Sequence, residues 1–211
     1  MTVLSHRGYW LTPAEKNTVA AFRRSFDLGF GTETDVRDRA GELVISHDPP
    51  RGGEITLGEF LDLLNGQDLP LAINVKADGL AEGIRDAFAG RGLSKWFVFD
   101  MSVPDTLRQL AVGNPVFTRA SEYEQQPVLL DQSLGVWLDD FGGTDWWGPA
   151  ELAEWGDRKR SVCLVSPELH GREPTAVWGR LANVRASGVE GLMVCTDRPE
   201  QAQRFFAGSG R

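Results

Sequence analysis

Long hydrophobic runs, cysteine, histidine and positive net charge are all scarce in this sequence, and each scarcity closes a class of explanation. No run of about 18 apolar residues escapes interruption by Arg, Asp, Glu or Lys, so no segment reads as a membrane-spanning helix. The 2 cysteines, Cys163 and Cys195, sit in apolar surroundings without CxxC or ligand spacing and read as core thiols rather than reactive or metal-binding ones. Lys and Arg number 22 against 30 Asp and Glu, a formal net charge of −8, which leaves no broad basic footprint for nucleic acid or anionic lipid. Any phosphate on a ligand must therefore be met locally. The opening residues Met1 to His6 show no basic region followed by a long apolar stretch, and the expected location is cytoplasmic. Also missing are a Gly-x-Ser-x-Gly elbow, a Gly-x-x-x-x-Gly-Lys loop, a His-Glu-x-x-His helix and a Gly-x-Gly-x-x-Gly turn after the first strand. Serine hydrolase, P-loop ATPase, zincin and dinucleotide-binding functions thus lack their parts.

What the chain does contain is globular composition, 41% hydrophobic and 25% charged over 211 residues, with no linker or low-complexity tract to divide it. One domain over residues 1–211 is expected. Short apolar runs alternate with amphipathic stretches from end to end. The runs Val3–Ser5, Thr32–Val36, Leu71–Val75, Phe97–Asp100, Val116–Thr118, Val136–Asp139, Val162–Val165 and Leu192–Cys195 read as buried parallel strands, with Leu43–Ser46 an extra strand-like piece. Helical periods cover Thr18–Leu28, Leu57–Leu64, Ala81–Ala89, Asp105–Ala111, Pro149–Trp155, Thr175–Ala186 and Glu200–Phe206. Between Ala120 and Ser133 only a short helix candidate broken by Pro127 is present. Eight β/α units predict an α/β fold of the (β/α)8 TIM-barrel type, with an open doubly wound sheet as the alternative.

In such barrels chemistry sits on the loops after the strands, so the residues there matter most. The first strand ends in His6-Arg7-Gly8, the second carries Glu33-Thr34-Asp35, and the extra piece ends in His47-Asp48. Two of the 3 histidines thus fall at early strand ends, and imidazoles facing one cleft can serve as general base and general acid at neutral pH. Phosphodiester cleavage needs such a pair. Arg7 offers a planar fork for two phosphate oxygens, and Glu33 and Asp35, two apart on a strand, point to the same side, where they can hold a hard cation.

The ordered string His6-Arg7-Gly8, Glu15-Lys16-Asn17-Thr18, Ala21-Phe22, Gly29, Glu33-Thr34-Asp35-Val36 and His47-Asp48-Pro49 resembles the glycerophosphodiester phosphodiesterase family. The likeness is strong over the first quarter of the chain and looser at Gly191 to Pro199, which ends Thr196-Asp197-Arg198-Pro199. It implies a PLC-like phosphodiesterase barrel that hydrolyses phosphodiesters of glycerol with Mg2+ or Ca2+. His6 and His47 match the catalytic pair, Arg7 the phosphate contact, and Glu33 and Asp35 two metal ligands. A route through a cyclic phosphate is implied: the neighbouring glycerol hydroxyl attacks phosphorus, the alcohol leaves, and water opens the ring.

The third strand departs from the family's Glu-x-Lys, reading Asn74-Val75-Lys76. Asn74 is expected as a neutral oxygen ligand, and Lys76 as a point charge on phosphate or a salt-bridge partner of Glu33 or Asp35. After the seventh strand, Glu168, His170 and Arg172 crowd one loop. Glu168 is a candidate substrate contact, against a reading of loop packing, and His170 a candidate third base. The sixth strand leads through Asp139-Asp140-Phe141 to Trp146-Trp147, which either offer a face to a sugar ring or pack on the barrel. Only a short helix fits between Pro49 and Leu69, leaving an open mouth suited to a glycan.

The expected function is metal-assisted hydrolysis of a small-molecule or glycan phosphodiester by His/His acid-base catalysis, with no nucleic acid partner and no membrane span. The alternatives are a sphingomyelinase D-type lyase that stops at the cyclic phosphate, and a barrel that binds a phosphodiester without cleaving it.

Overall fold

The computed structural model describes residues 1–208. The chain divides into two compact units, Ser5–Val116 and Met1–Leu4 with Phe117–Arg211. Residues 209–211 of the expected domain lie outside the described residues.

The first unit contains the end of β1 (Thr2–His6), then α1 (Val19–Asp27), β2 (Gly31–Arg39), β3 (Glu42–Ile45), α2 (Leu57–Asp62), β4 (Leu71–Val75), α3 (Ala81–Phe88), β5 (Trp96–Phe99) and α4 (Val103–Ala111). Its strands lie in the order β5-β4-β2-β1. β2 runs parallel to β4, which runs parallel to β5, while β3 folds back antiparallel on the far end of β2. The helices start where hydroxyl caps allow. Thr18 accepts from the Ala21 N–H, and Thr56 and Glu59 form a reciprocal capping box at 3.0 and 2.7 Å. The apolar stripe of α1 then buries Phe22 and Phe26, and Phe22 meets Phe60 of α2 edge-on at 4.7 Å between centroids.

The second unit begins with the start of β1 and continues with β6 (Phe117–Ala120), β7 (Gly135–Leu138), α5 (Pro149–Asp157), β8 (Ser161–Val165), α6 (Thr175–Ala186), β9 (Leu192–Thr196) and α7 (Pro199–Gly208). Its order is β1-β9-β8-β7-β6, with β6 to β9 pairing in parallel. Cys163 and Cys195 are buried, as core thiols are expected to be. Trp178 of α6 is also buried, its ring 5.9 Å from that of Phe206.

Eight parallel-type strands in this order, each but one followed by an α-helix, make the (β/α)8 barrel expected from the alternation. Val98 of β5 bridges in parallel to Val116, the residue before β6. The exception is the weak fifth unit. After β6 the chain forms only a 3-10 turn, Leu130–Gln132, so the short helix candidate there does not form. Among the described residues no helix is long and apolar enough to cross a membrane.

Candidate active site

Glu33, Asp35, Arg7, Lys76 and Asn74 come together at the carboxyl ends of β1, β2 and β4, all within the first unit. A buried hydroxyl cluster sets the foundation. The Ser5 Oγ lies 2.8 Å from both the Ser25 Oγ and the Thr32 Oγ1, and Thr32 in turn accepts from the Gly8 N–H at 3.0 Å. These bonds tie β1, α1 and β2 together and fix the turn that leaves β1 at His6.

The turn itself is strained. Arg7 has φ of 58°, and Asn17 and Asp100, which also face this site's charges, have φ of 59° and 71°. Such left-handed conformations cost non-glycine residues roughly 1 kcal/mol or more each and concentrate where function requires them. Gly8, at φ 81°, is compelled for two reasons: its backbone, and the 2.8 Å at which an added Cβ would meet the Cβ of Ala21. Gly8→Ala is expected to destabilise the fold by about 2–4 kcal/mol, since both strain and overpacking enter. Urea denaturation of the variant measures this, and an unchanged midpoint would show that the turn relaxes freely.

Asp35 is fully buried and is the electrostatic hub. Its Oδ2 lies 2.9 Å from the Arg7 Nε and accepts from the Asn17 Nδ2 at 2.9 Å. The Arg7 approach is charge against charge, because its N–H is not aligned as a hydrogen bond. Asn17 is held in turn by its Oδ1, which accepts from the Thr34 hydroxyl at 2.9 Å. The Lys76 Nζ lies 3.6 Å from the Asp35 Oδ1 and 3.5 Å from the Asp100 Oδ2. Lys76 thus takes up the salt-bridge reading with Asp35, and Asp100 is its second partner.

Glu33, one pleat away, accepts from the Arg7 backbone N–H at 3.3 Å and lies 4.0 Å from the His6 Nε2. Burial, reinforced by the Asp35 charge, pushes its carboxyl up to about 7 against the pull of His6, Arg7 and Lys76. His47 follows β3. Its ring is half-exposed, with Nδ1 2.9 Å from the Asp48 Oδ1, and that bond holds the Asp48 carboxyl below its ordinary value. Arg7, Asn17 and His47 line one cleft of about 570 Å³.

The donor set suits a hard cation. Asn74 is paired with Asp35 in the β2–β4 register, and the Asn74 Oδ1 and Asp35 Oδ1 are both buried without a hydrogen-bond partner. The Asn74 oxygen, unpartnered beside a carboxylate that faces Lys76, is compatible with a positive ligand. Among the described residues no three His, Cys, Asp or Glu side chains cluster to hold a metal, and the third oxygen beside Glu33 and Asp35 belongs to an amide.

Glu168 lies in the second unit, on the 3-10 turn Pro167–His170 after β8. Both its oxygens are engaged: one accepts from the Ser166 hydroxyl, the other from the Thr196 hydroxyl and, at 3.1 Å, from the Asp197 N–H. His170 pairs through Nε2 with the buried Asp139 at 2.7 Å. Trp147 is buried and covered by the Arg180 guanidinium at 4.2 Å, so it packs rather than facing a ligand, while Trp146 donates to the Asp139 carbonyl at 2.8 Å.

Asn17 and Asp100 are the two residues of the first unit's site given no role from sequence. Asp100 carried a usable signal, a lone carboxylate directly after the apolar strand Trp96–Phe99. Asn17 stood in the Glu15-Lys16-Asn17-Thr18 string, where nothing showed that its left-handed turn brings it back to Asp35.

No protein-family model matches the sequence, and no curated protein does either. Solved structures do match in fold. A glycerophosphodiester phosphodiesterase from Parabacteroides distasonis ATCC 8503 is 17% identical with a TM-score of 0.70, covering 100% of this chain and 98% of that one. One from Agrobacterium tumefaciens str. C58 is 19% identical with a TM-score of 0.69 and covers 99% of each chain. An Oleispira antarctica phosphodiesterase in complex with the product sn-glycerol-3-phosphate is 14% identical with a TM-score of 0.72, covering 98% of this chain and 97% of that one. The chain therefore has the barrel fold of the glycerophosphodiester phosphodiesterases, over its whole length.

Proposed function

We propose that the protein is a phosphodiesterase that hydrolyses a glycerol phosphodiester, with His6 and His47 as the acid-base pair. The observation that carries this reading is the assembly of Arg7, Glu33, Asp35 and Lys76 at the strand ends of a barrel whose fold matches glycerophosphodiester phosphodiesterases. The product held by the Oleispira antarctica relative, sn-glycerol-3-phosphate, points to the same substrate class. A glycerophosphoryl-substituted glycan is the variant of that class that an open mouth favours.

In this mechanism one imidazole takes the proton of the glycerol hydroxyl next to the ester, and that oxygen forms a bond to phosphorus. The other imidazole gives a proton to the departing alcohol as its P–O bond breaks. The pair then exchanges roles: water attacks the cyclic phosphate, loses its proton to the second imidazole, and the ring opens by proton transfer from the first. Arg7 meets the phosphoryl oxygens with the face of its guanidinium not turned to Asp35, and Lys76 adds a point charge. Asn17 keeps Asp35, and hence Arg7, in register. Glu33, Asp35 and Asn74 would hold Mg2+ or Ca2+, which would supply positive charge against the negative charge developing on the phosphoryl oxygens. Glu168 is given no part in this reading, because both its oxygens are engaged within the second unit by Ser166, Thr196 and Asp197.

A neutral amide contributes no charge to the ion, so the site is expected to bind its cation weakly. Asn74→Glu is expected to tighten Ca2+ or Mg2+ binding by about tenfold or more in isothermal titration calorimetry. Activity of the wild type should disappear in EDTA and return with excess ion. Equal affinities in the two proteins, or turnover indifferent to EDTA, would remove the ion from the account.

A further inference from the structure

We propose that the strip of rings Tyr123, Phe141 and His170, in the second unit, is a binding site for a neutral sugar ring. Phe141 is the centre of the strip. Its centroid lies 6.5 Å from that of Tyr123, with the planes tilted by 31°, and 5.5 Å from that of His170. Tyr123 is 80% exposed and Phe141 43%, so two large rings stand in water side by side. They follow β6 and β7, and His170 follows β8, on the strand ends where barrels of this class bind ligands.

The loop that presents Phe141 is built to be rigid. Glu122 accepts from the N–H groups of Phe141 at 3.2 Å and Gly142 at 2.6 Å. Arg172 donates to the carbonyls of Asp140 and Phe141, and Asp140 accepts from the N–H groups of Thr144 and Asp145. Gly143, at φ 67°, is needed because the Arg172 side chain would lie 3.0 Å from an added Cβ. Rigid exposure of aromatic surface gains no folding stability, whereas it lowers the entropy lost when a ligand stacks.

The same bonds decide the chemistry of the ligand. The carboxylates of Glu122 and Asp140 are consumed by the loop, and that of Asp139 by the His170 Nε2 and the Asp140 N–H at 2.8 Å. These carboxylates already accept bonds from the loop, and the tilted rings form an open surface rather than the cage that holds a quaternary ammonium. The groups left for a ligand are the Tyr123 hydroxyl and the His170 Nδ1, neither of which has a hydrogen-bond partner among the described residues. Flat apolar faces flanked by hydrogen-bonding groups suit a pyranose, whose C–H face stacks and whose hydroxyls bond at the edge.

The site goes beyond the phosphodiesterase reading and does not depend on it, because it is tested with ligands that carry no phosphate. Methyl glucopyranosides, methyl galactopyranosides and choline are titrated into the protein and into Phe141→Ala and Tyr123→Ala, following protein chemical shifts. Both variants replace exposed side chains, and their dispersed spectra report the fold. The expected result is saturable sugar binding with shifts around residues 121–123, 139–145 and 170, weakened about fivefold or more by either variant. Absence of sugar binding, binding unaffected by both variants, or selective binding of choline would overturn the proposal.

Discussion

Replacing either His6 or His47 with Asn is expected to lower turnover of a glycerophosphodiester by roughly 100- to 10,000-fold while the chain remains folded. The magnitude follows from the work assigned to the pair. An alkoxide leaving group and a hydroxyl nucleophile both need a proton moved in the transition state, and Asn can move none. The structural effect should be small: the His47 ring is half-exposed, and at the more buried His6 the backbone carbonyl, which accepts from the Trp10 indole, survives the change. The expected pattern is a fall in kcat with little change in KM and an unchanged melting temperature. Full activity in either variant would remove that imidazole from the mechanism.

Glu33→Gln should abolish activity and yet stabilise the protein at neutral pH. The Glu33 carboxyl is raised from its ordinary value to about 7, first by burial and then by Asp35. The folded state therefore holds this proton more tightly than the unfolded chain does. Below the unfolded value both states are protonated and nothing is lost. As pH rises through the window between about 4.5 and 7, the unfolded chain ionises first and stability falls. The loss is complete above the folded value and amounts to roughly 3 kcal/mol in the metal-free protein. Gln carries no charge to bury, so the variant escapes the loss. Urea denaturation in EDTA is expected to show wild type and variant converging near pH 4 and the variant ahead at pH 8. A variant less stable than wild type at pH 8 would show that the ionised Glu33 is held by favourable bonds instead.

The two results concern one compromise. Two carboxylates are packed together in a buried strand against Arg7 and Lys76, with an unpartnered amide oxygen beside them. Buried charge concentrated in this way at the end of a barrel strand is more typical of a binding site than of a purely structural strand.

Much of the barrel was legible because its strands are buried on both faces and read as continuous apolar runs. Leu71–Val75 and Thr175–Ala186 have the bounds expected from periodicity, and Leu43–Ser46 proves to be the antiparallel β3, shifted by one residue. The segment after β6 was illegible because Pro127 and the polar residues around it fit a turn as well as a helix, and no apolar face decides between them. In the site, Glu33 and Asp35 stood out because charge is rare in a buried strand, and the alternation of the strand put both on one side. The hub role of Asp35 was not visible. It depends on Asn17 and Arg7 adopting left-handed backbone and on Lys76 reaching between two strands. Likewise Trp146 and Trp147 drew attention by residue type, whereas the exposed rings are Tyr123 and Phe141, and only packing distinguishes the two pairs.

The most direct test of the central claim is phosphorus NMR of the purified wild-type protein with glycerophosphodiesters bearing different alcohols, in the presence of Mg2+ or Ca2+. The account predicts that the diester signal is replaced by that of a glycerol phosphate monoester, with any cyclic phosphate only transient. A cyclic phosphate that accumulates and persists would make the protein a lyase, and an unchanged diester signal under either ion would contradict catalysis altogether.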